Sequence, residues 1–193
     1  MSILPEPSMQ QRAARIERFT RALEAVQGEV WPVSADTWPQ RLLDYAAQQG
    51  IGTLLFAPET HHGRYFLDVA QHTPIQCLPY LDPIEAWKET LFSDVDAALT
   101  GCHGAIAESG TLILTPDATE PRLMSLVPER HIVLLDADQI HDTLSDAVAA
   151  ADWPQPLPTN LLLISGPSKS ADIEQTLAYG VHGPKQLLVL LLL

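Results

Sequence analysis

The segment Ala107-Glu108-Ser109-Gly110-Thr111 sets one carboxylate after four apolar or small residues and ahead of a glycine free to take a positive φ. A carboxyl group partly desolvated at Glu108 would have its pKa raised, and could serve as a general acid/base or as a nucleophile towards an acyl carbon. The same spacing equally allows Glu108 to tie the turn by accepting backbone N–H bonds. A second loop, Ser165-Gly166-Pro167-Ser168-Lys169-Ser170, runs on into Ala171-Asp172-Ile173-Glu174 and reads as a strand end opening into a helix. Small hydroxyl residues, a glycine and a lysine at a helix start can hold an anion. Asp172 and Glu174 would fall in the first helical turn and repel a phosphate, the GxxxxGK spacing of a nucleotide loop is absent, and Ser170 could equally be a structural N-cap.

Arg122 and Ser125, just ahead of Pro128-Glu129-Arg130-His131, add a guanidinium able to grip a carboxylate in a bidentate fork, or simply to stay at the surface. His182 lies in Gly180-Val181-His182-Gly183-Pro184, a tight turn that could expose an imidazole as acid/base or hydrogen-bond donor. The seven histidines, His61, His62, His72, His103, His131, His141 and His182, show no HExxH or similar spacing, so no metal site is expected.

These residues need a scaffold, and the chain supplies one. Its 193 residues are 46% hydrophobic and 18% charged, enough for one globular domain with a sizeable core. Eleven basic against 24 acidic residues give a net charge of -13, and no Lys/Arg cluster tracks a phosphate backbone, which excludes nucleic acid and anionic membrane as natural partners. The polar N-terminal residues carry no signal pattern, and the longest apolar run, 187–193, is seven residues, so the expectation is a cytoplasmic protein without a membrane span. Cys77 and Cys102 alone make no disulfide framework, CxxC motif or four-thiolate cluster site, which places any redox centre in another protein.

Apolar residues at three- and four-residue spacing predict a helix over 9–26, and its Arg12, Arg15, Arg18 and Arg21 are suited to salt bridges with the acidic body. A second helix is expected over 38–49, then strands at 52–56 and 75–78 around a segment, 57–73, of undetermined type. Residues 82–91 read as helical, 105–107 and 111–114 as strand-turn-strand, 131–135 as a strand and 138–150 as a helix. A proline-rich loop at 152–158, a buried strand at 160–164, a helix over 170–178 and a last strand at 186–193, buried on both sides, complete the reading. Short apolar runs separated by helical patterns specify a Rossmann-like α/β fold: an open, mostly parallel sheet with helices on both faces. Ligands of such sheets gather at the carboxyl ends of strands, where the loops above should lie.

Three segments, Gly104-Ala105-Ile106-Ala107-Glu108-Ser109-Gly110-Thr111, Arg122-Leu123-Met124-Ser125-Leu126-Val127-Pro128 with His131-Ile132, and Ser165 through Glu174 with Val181-His182-Gly183-Pro184, together resemble the LutC/YkgG family, the lactate utilisation protein C group with a LUD domain. The resemblance is strongest from Gly104 onward. It implies a fold similar to the NagB/RpiA/CoA-transferase-like group, with residues 1–30 as an N-terminal helical extension and 31–193 as a single LUD-type domain. It also implies a part in oxidising L-lactate to pyruvate beside two partner proteins, whose iron-sulfur clusters would carry the electrons, with no cofactor in this chain. Glu108 is then the candidate acid/base, and Arg122 or Lys169 the anchor for a small carboxylate. Ser109, Gly110, Thr111, Ser125, Ser165, Gly166, Ser168, Asp172, His182 and Gly183 complete the candidate ligand site. Two other readings stay open: a stand-alone isomerase or transferase acting on a sugar phosphate or CoA thioester, although the phosphate-binding elements of those enzymes are not evident, and a non-catalytic module whose acidic surface docks a redox partner.

Overall fold

A computed structural model describes residues 8–71, 73–150, 158–171 and 177–193. The first helix, α1 (Met9–Glu24), starts from a Ser8/Gln11 capping box. It is followed by β1 (Glu29–Val33), α2 (Trp38–Gln48), β2 (Thr53–Phe56), α3 (His61–Ala70) and β3 (Gln76–Pro79). A 3-10 turn (Ile84–Ala86) and α4 (Lys88–Ser93) lead to β4 (Ala97–Gly101), β5 (Gly104–Ile106), β6 (Thr111–Leu114), α5 (Leu123–Leu126) and β7 (Arg130–Asp136). The chain closes with β8 (Ile140–His141), α6 (Leu144–Ala149), β9 (Leu162–Ile164), β10 (Lys169–Ala171), β11 (Leu177–Tyr179) and β12 (Gln186–Leu192).

Six strands form a wholly parallel sheet in the order β1-β12-β7-β4-β2-β3. β12, apolar after its first residue Gln186, is paired on both edges, Leu188 lying in register with Glu29 of β1 and Ile132 of β7. Its alternate residues serve two cores. Leu188 and Leu190 join Trp38, Leu42, Leu54, Phe56 and Phe66 on the face covered by α2 and α3. Leu187, Val189 and Leu191 join Phe19 and Leu23 of α1 with Ala105 and Leu112 on the opposite face. A strand buried on both sides needs this unbroken hydrophobic run, as the sequence led us to expect. A second, four-stranded sheet in the order β8-β5-β6-β9 lies on the α1 side, with β5–β6 and β6–β9 antiparallel. Three arginines of α1 pair with acids of the body: Arg12 with Asp138, Arg15 with Asp142 and Arg18 with Glu108.

Several expectations need correction. The helix expected over 170–178 is instead an antiparallel hairpin of β10 and β11, closed by the Gly180 amide donating to the Ser168 carbonyl at 2.9 Å with Gly180 at φ 73°. Asp172 and Glu174 lie outside the described residues, as does the proline-rich loop apart from Pro158. The helix expected over 138–150 is a 3-10 turn (Ala137–Gln139), then β8 and α6, because Ile140 is buried against β5 and Thr143 restarts the chain with a capping box. Residues 82–91 also divide, since Trp87 leaves helical φ to stack edge-on against Tyr80 at 5.0 Å. The strand at 160–164 forms, shortened to β9, but it is an edge strand with Leu163 48% exposed and not a buried one. The undetermined segment supplies α3, capped by Thr60. Besides β8, β10 and β11, two further strands were not foreseen: β1, whose Pro32 is tolerated because the strand has one neighbour only, and β4, whose Ala97-Ala98-Leu99-Thr100 lacks the β-branched richness of a strand. Among the described residues no helix is long and apolar enough to cross a membrane.

Candidate functional site

Where the chain leaves β2 it proceeds to β3 on one side, and where it leaves β4 it proceeds to β7 on the other. The two departing loops therefore part at the carboxyl ends of adjacent strands, which is the switch point where open α/β sheets form their ligand crevice. A cavity of about 370 Å³ sits there, lined by Thr60 and His62 after β2, by Thr100, Gly101, Cys102 and His103 at the end of β4, and by the 114–121 segment after β6.

The crevice is built from backbone upward. Thr60 caps α3, its hydroxyl donating to the Ala57 carbonyl at 2.7 Å and accepting the Gly63 amide at 3.0 Å. A Cβ on Gly63 would stand 1.8 Å from the Ala57 carbonyl oxygen, so glycine alone allows the first turn of α3 to fold back on the strand end. That turn delivers His62, whose Nε2 is 2.9 Å from Glu120 Oε1. Glu120 is fixed in turn by the Gly101 amide, which donates to its two oxygens at 3.1 and 3.0 Å. The loop bearing it is closed by Asp117, which accepts the amides of Thr119 and Glu120 at 2.8 Å. The side chains of His62 and Glu120 are only 16% and 20% exposed, so their pairing is less screened than a surface salt bridge.

Beneath this pair lies a second one. Thr100 Oγ1 and His131 Nε2 are 2.8 Å apart and both residues are buried. Burial pushes the His131 imidazole down to about 3, so it is neutral, and its Nδ1 is buried without a hydrogen-bond partner. Burial, aided by Glu120, pushes the Cys102 thiol far above the ordinary thiol range against the smaller lowering effect of a hydrogen bond from Gly104, so it is no thiolate nucleophile. Among the described residues no group of three or more His, Cys, Asp and Glu could hold a metal ion.

A smaller cavity of about 220 Å³ shares Ser125 with the first and is also lined by His131. It brings together six residues singled out from sequence: Ser125, Ser165, Gly166, Ser168, His182 and Gly183. The 165–168 and 181–184 loops are knit together there, the Ser168 amide donating to the Pro184 carbonyl at 2.8 Å. Ser109, Thr111 and Ser165 continue from the cavity wall as a chain of hydroxyls, each 2.7 Å from the next.

Other candidates lie elsewhere. Glu108 lines none of these cavities; its side chain is 58% exposed and 3.9 Å from Arg18, which corrects the expectation that it would be desolvated. Gly110 serves packing: at φ 62°, a Cβ there would lie 2.6 Å from the Leu23 amide of α1. Arg122 is exposed and reaches Asn160 at 3.5 Å, and Lys169 is exposed on β10, so the expected anion site at a helix start has no helix. Reading from sequence missed His62, Thr100, Gly101 and Glu120. The available signal was His61-His62 in the segment that follows a predicted strand, beyond Pro58, obscured because the spacing to Glu120 is long.

The parallel sheet, the crevice at its switch point and the flanking small sheet define a Rossmann-like α/β protein. The LUD domain model matches residues 16–192, and the chain belongs to that family. It is similar to an uncharacterized protein of Neisseria meningitidis serogroup B, 36% identical over 180 residues that cover 93% of this chain and 77% of the relative. It is also similar to a lactate utilization protein C of Deinococcus radiodurans, 42% identical over 96 residues, 49% of this chain and 45% of that one. The matches to proteins of that name span at most about half of their length. The crystal structure of a DUF162 family protein from Deinococcus radiodurans superposes with a TM-score of 0.66 at 25% identity, covering 94% of this chain and 98% of that one.

Proposed function

We propose that this chain acts in lactate utilisation, as the subunit that binds the small hydroxy acid while L-lactate is oxidised to pyruvate beside iron-sulfur partner proteins in the cytoplasm. The observation that carries the reading is a polar crevice at the switch point of a LUD-family sheet whose relatives include proteins named lactate utilization protein C. Oxidation of lactate releases two electrons and two protons. Two cysteines here are too few for a four-thiolate cluster, and iron-sulfur clusters in the partner proteins would take the electrons one at a time. The protons need acceptors at the site, and the acid's carboxylate needs donors. Hydroxyl donors for the carboxylate line the same crevice at Thr115 and Thr119.

A thermal-shift series of the full chain against L-lactate, pyruvate, sugar phosphates and CoA thioesters tests this. A ligand at a hundredfold its Kd stabilises by about 2.7 kcal/mol. Stabilisation by L-lactate or pyruvate supports the reading. Stabilisation by a sugar phosphate or CoA thioester alone moves the protein to the isomerase or transferase class. Lactate oxidation by the partner proteins at an unchanged rate when this chain is left out overturns the assignment.

A further inference from the structure

We propose that His62 is the proton acceptor for a ligand hydroxyl in the switch-point crevice, with Glu120 as the residue that positions it. The inference deepens the hydroxy-acid reading above and rests on it. Its basis is the pairing of His62 Nε2 with Glu120 Oε1 at 2.9 Å inside the crevice wall. A carboxylate can only accept a hydrogen bond, so the pairing places a proton on Nε2, and it is the neutral form of the ring that offers its lone pair at Nδ1.

Two features of β4 hold this arrangement. The Gly101 amide anchors both carboxylate oxygens, and the absence of a side chain on Gly101 makes room for the ring: a Cβ there would stand 2.9 Å from His62 Cε1 and 3.4 Å from Nδ1. The Nδ1 edge thus lies against the end of β4 at Gly101, itself a lining residue of the crevice. No hydrogen bond to Nδ1 is formed among the described residues, and the atom is not sealed from solvent.

The remaining titratable groups of the wall are Asp117, Cys102 and His103, and on α3 itself Arg64 is turned away to the Glu59 carbonyl. No lysine or arginine is among these wall residues, and Glu120, bonded to the ring, is the charge that compensates the imidazolium that forms. In the step, the ligand O–H bond breaks, its electron pair stays on oxygen, and an Nδ1–H bond forms. The alkoxide lone pair would then become the second bond of the carbonyl, the carbon-bound hydrogen would pass as a proton to solvent water, and the two electrons of its bond would be taken up one at a time by oxidised iron-sulfur clusters of the partner proteins. The His62 proton then returns to solvent through the open side of the crevice.

The test uses the full chain assembled with its iron-sulfur partners, L-lactate as substrate and a one-electron dye as final acceptor. His62→Ala should lower kcat by about 100- to 10,000-fold, with folding checked by thermal melting, and added imidazole should restore part of the rate in proportion to its unprotonated form. Glu120→Gln should lower kcat while leaving KM nearly unchanged. The proposal is overturned if His62→Ala keeps kcat within about twofold, or if His62→Gln, which can still bond Glu120 but cannot take a proton at neutral pH, restores the rate where imidazole does not. Should the wild-type assembly fail to oxidise L-lactate, the hydroxy-acid reading falls, and the dyad is judged by histidine nitrogen NMR of the free chain. A proton on Nδ1 instead of Nε2 would then refute it, and a proton on Nε2 would sustain it for another hydroxyl ligand.

Discussion

Replacing His131 with glutamine should make the protein less sensitive to acid, and the size of the effect follows from where the ring sits. His131 is 1% exposed, its Nε2 engaged by Thr100 and its Nδ1 without a partner, and burial lowers its pKa from 6.5 to about 3. The folded value lies below the unfolded one. As pH falls through the window between them, the unfolded chain takes up a proton that the native protein refuses, and stability declines. One proton corresponds to about 1.4 kcal/mol per pH unit, so near pH 5 this single residue costs the wild type about 2 kcal/mol relative to neutral pH. His131→Gln keeps a polar partner for Thr100 but does not titrate. At neutral pH the variant should be less stable by about 1–3 kcal/mol, the cost of disturbing a buried hydrogen bond. Urea unfolding of both proteins from neutral to acid pH should then show that deficit shrinking by about 2 kcal/mol near pH 5. Carboxylates titrate in both proteins and cancel in the difference. A deficit that does not change with pH would mean that His131 accepts a proton in the native state, and the account of a neutral imidazole beneath the crevice would be wrong.

Phe19→Ala, which empties a fully buried position where α1 meets the sheet, should destabilise by about 3–5 kcal/mol in the same urea assay. Gly110→Ala should cost at least about 1 kcal/mol from the backbone conformation alone and more from the collision with Leu23, seen as a lowered melting temperature. Glu108→Gln, by contrast, removes one member of a long, exposed ion pair and should shift stability by less than about 1 kcal/mol; if Glu108 is nonetheless the acid/base, lactate oxidation by the assembled system will drop, and an unchanged rate excludes that role. Cys102 should resist alkylation at mildly alkaline pH in the native protein and react after unfolding, as mass spectrometry of the labelled chain would show.

The scaffold was legible where one local signal coincided with one tertiary role. The α1 stripe, the leucine run of β12 and the β5–β6 turn carry their periodicity in residues that face a core, so pattern and packing agree. It was illegible where long-range pairing overrode the local pattern. Residues 170–178 have helical spacing and acidic residues near their start, yet Lys169–Ala171 and Leu177–Tyr179 pair with each other because the loops around Gly180 and Pro184 are pinned together. The candidate site divides in the same way. Ser125, Ser165, Ser168 and His182 were found because they sit beside turn residues at strand ends, and they do share one cavity. The His62–Glu120 pair spans 58 positions, and no local pattern records that two loops from different strands will meet. Glu108 misled for the opposite reason. Its apolar neighbours on the chain are buried, but a turn reverses direction, and the carboxylate at its apex faces outward to Arg18.

The position of β12 has a consequence for how the molecule comes into being. In sequence it follows every other element described, yet in space it separates β1 from β7, so β1 has no partner strand until β12 has been made. During synthesis α1 can meet Glu108, Asp138 and Asp142 as soon as they are made, but β1 has no strand to pair with while β2, β3, β4 and β7 are already present. Sheet closure is therefore a late event requiring contacts between opposite ends of the chain, the kind of topology that slows folding and leaves the nascent protein dependent on protection from aggregation.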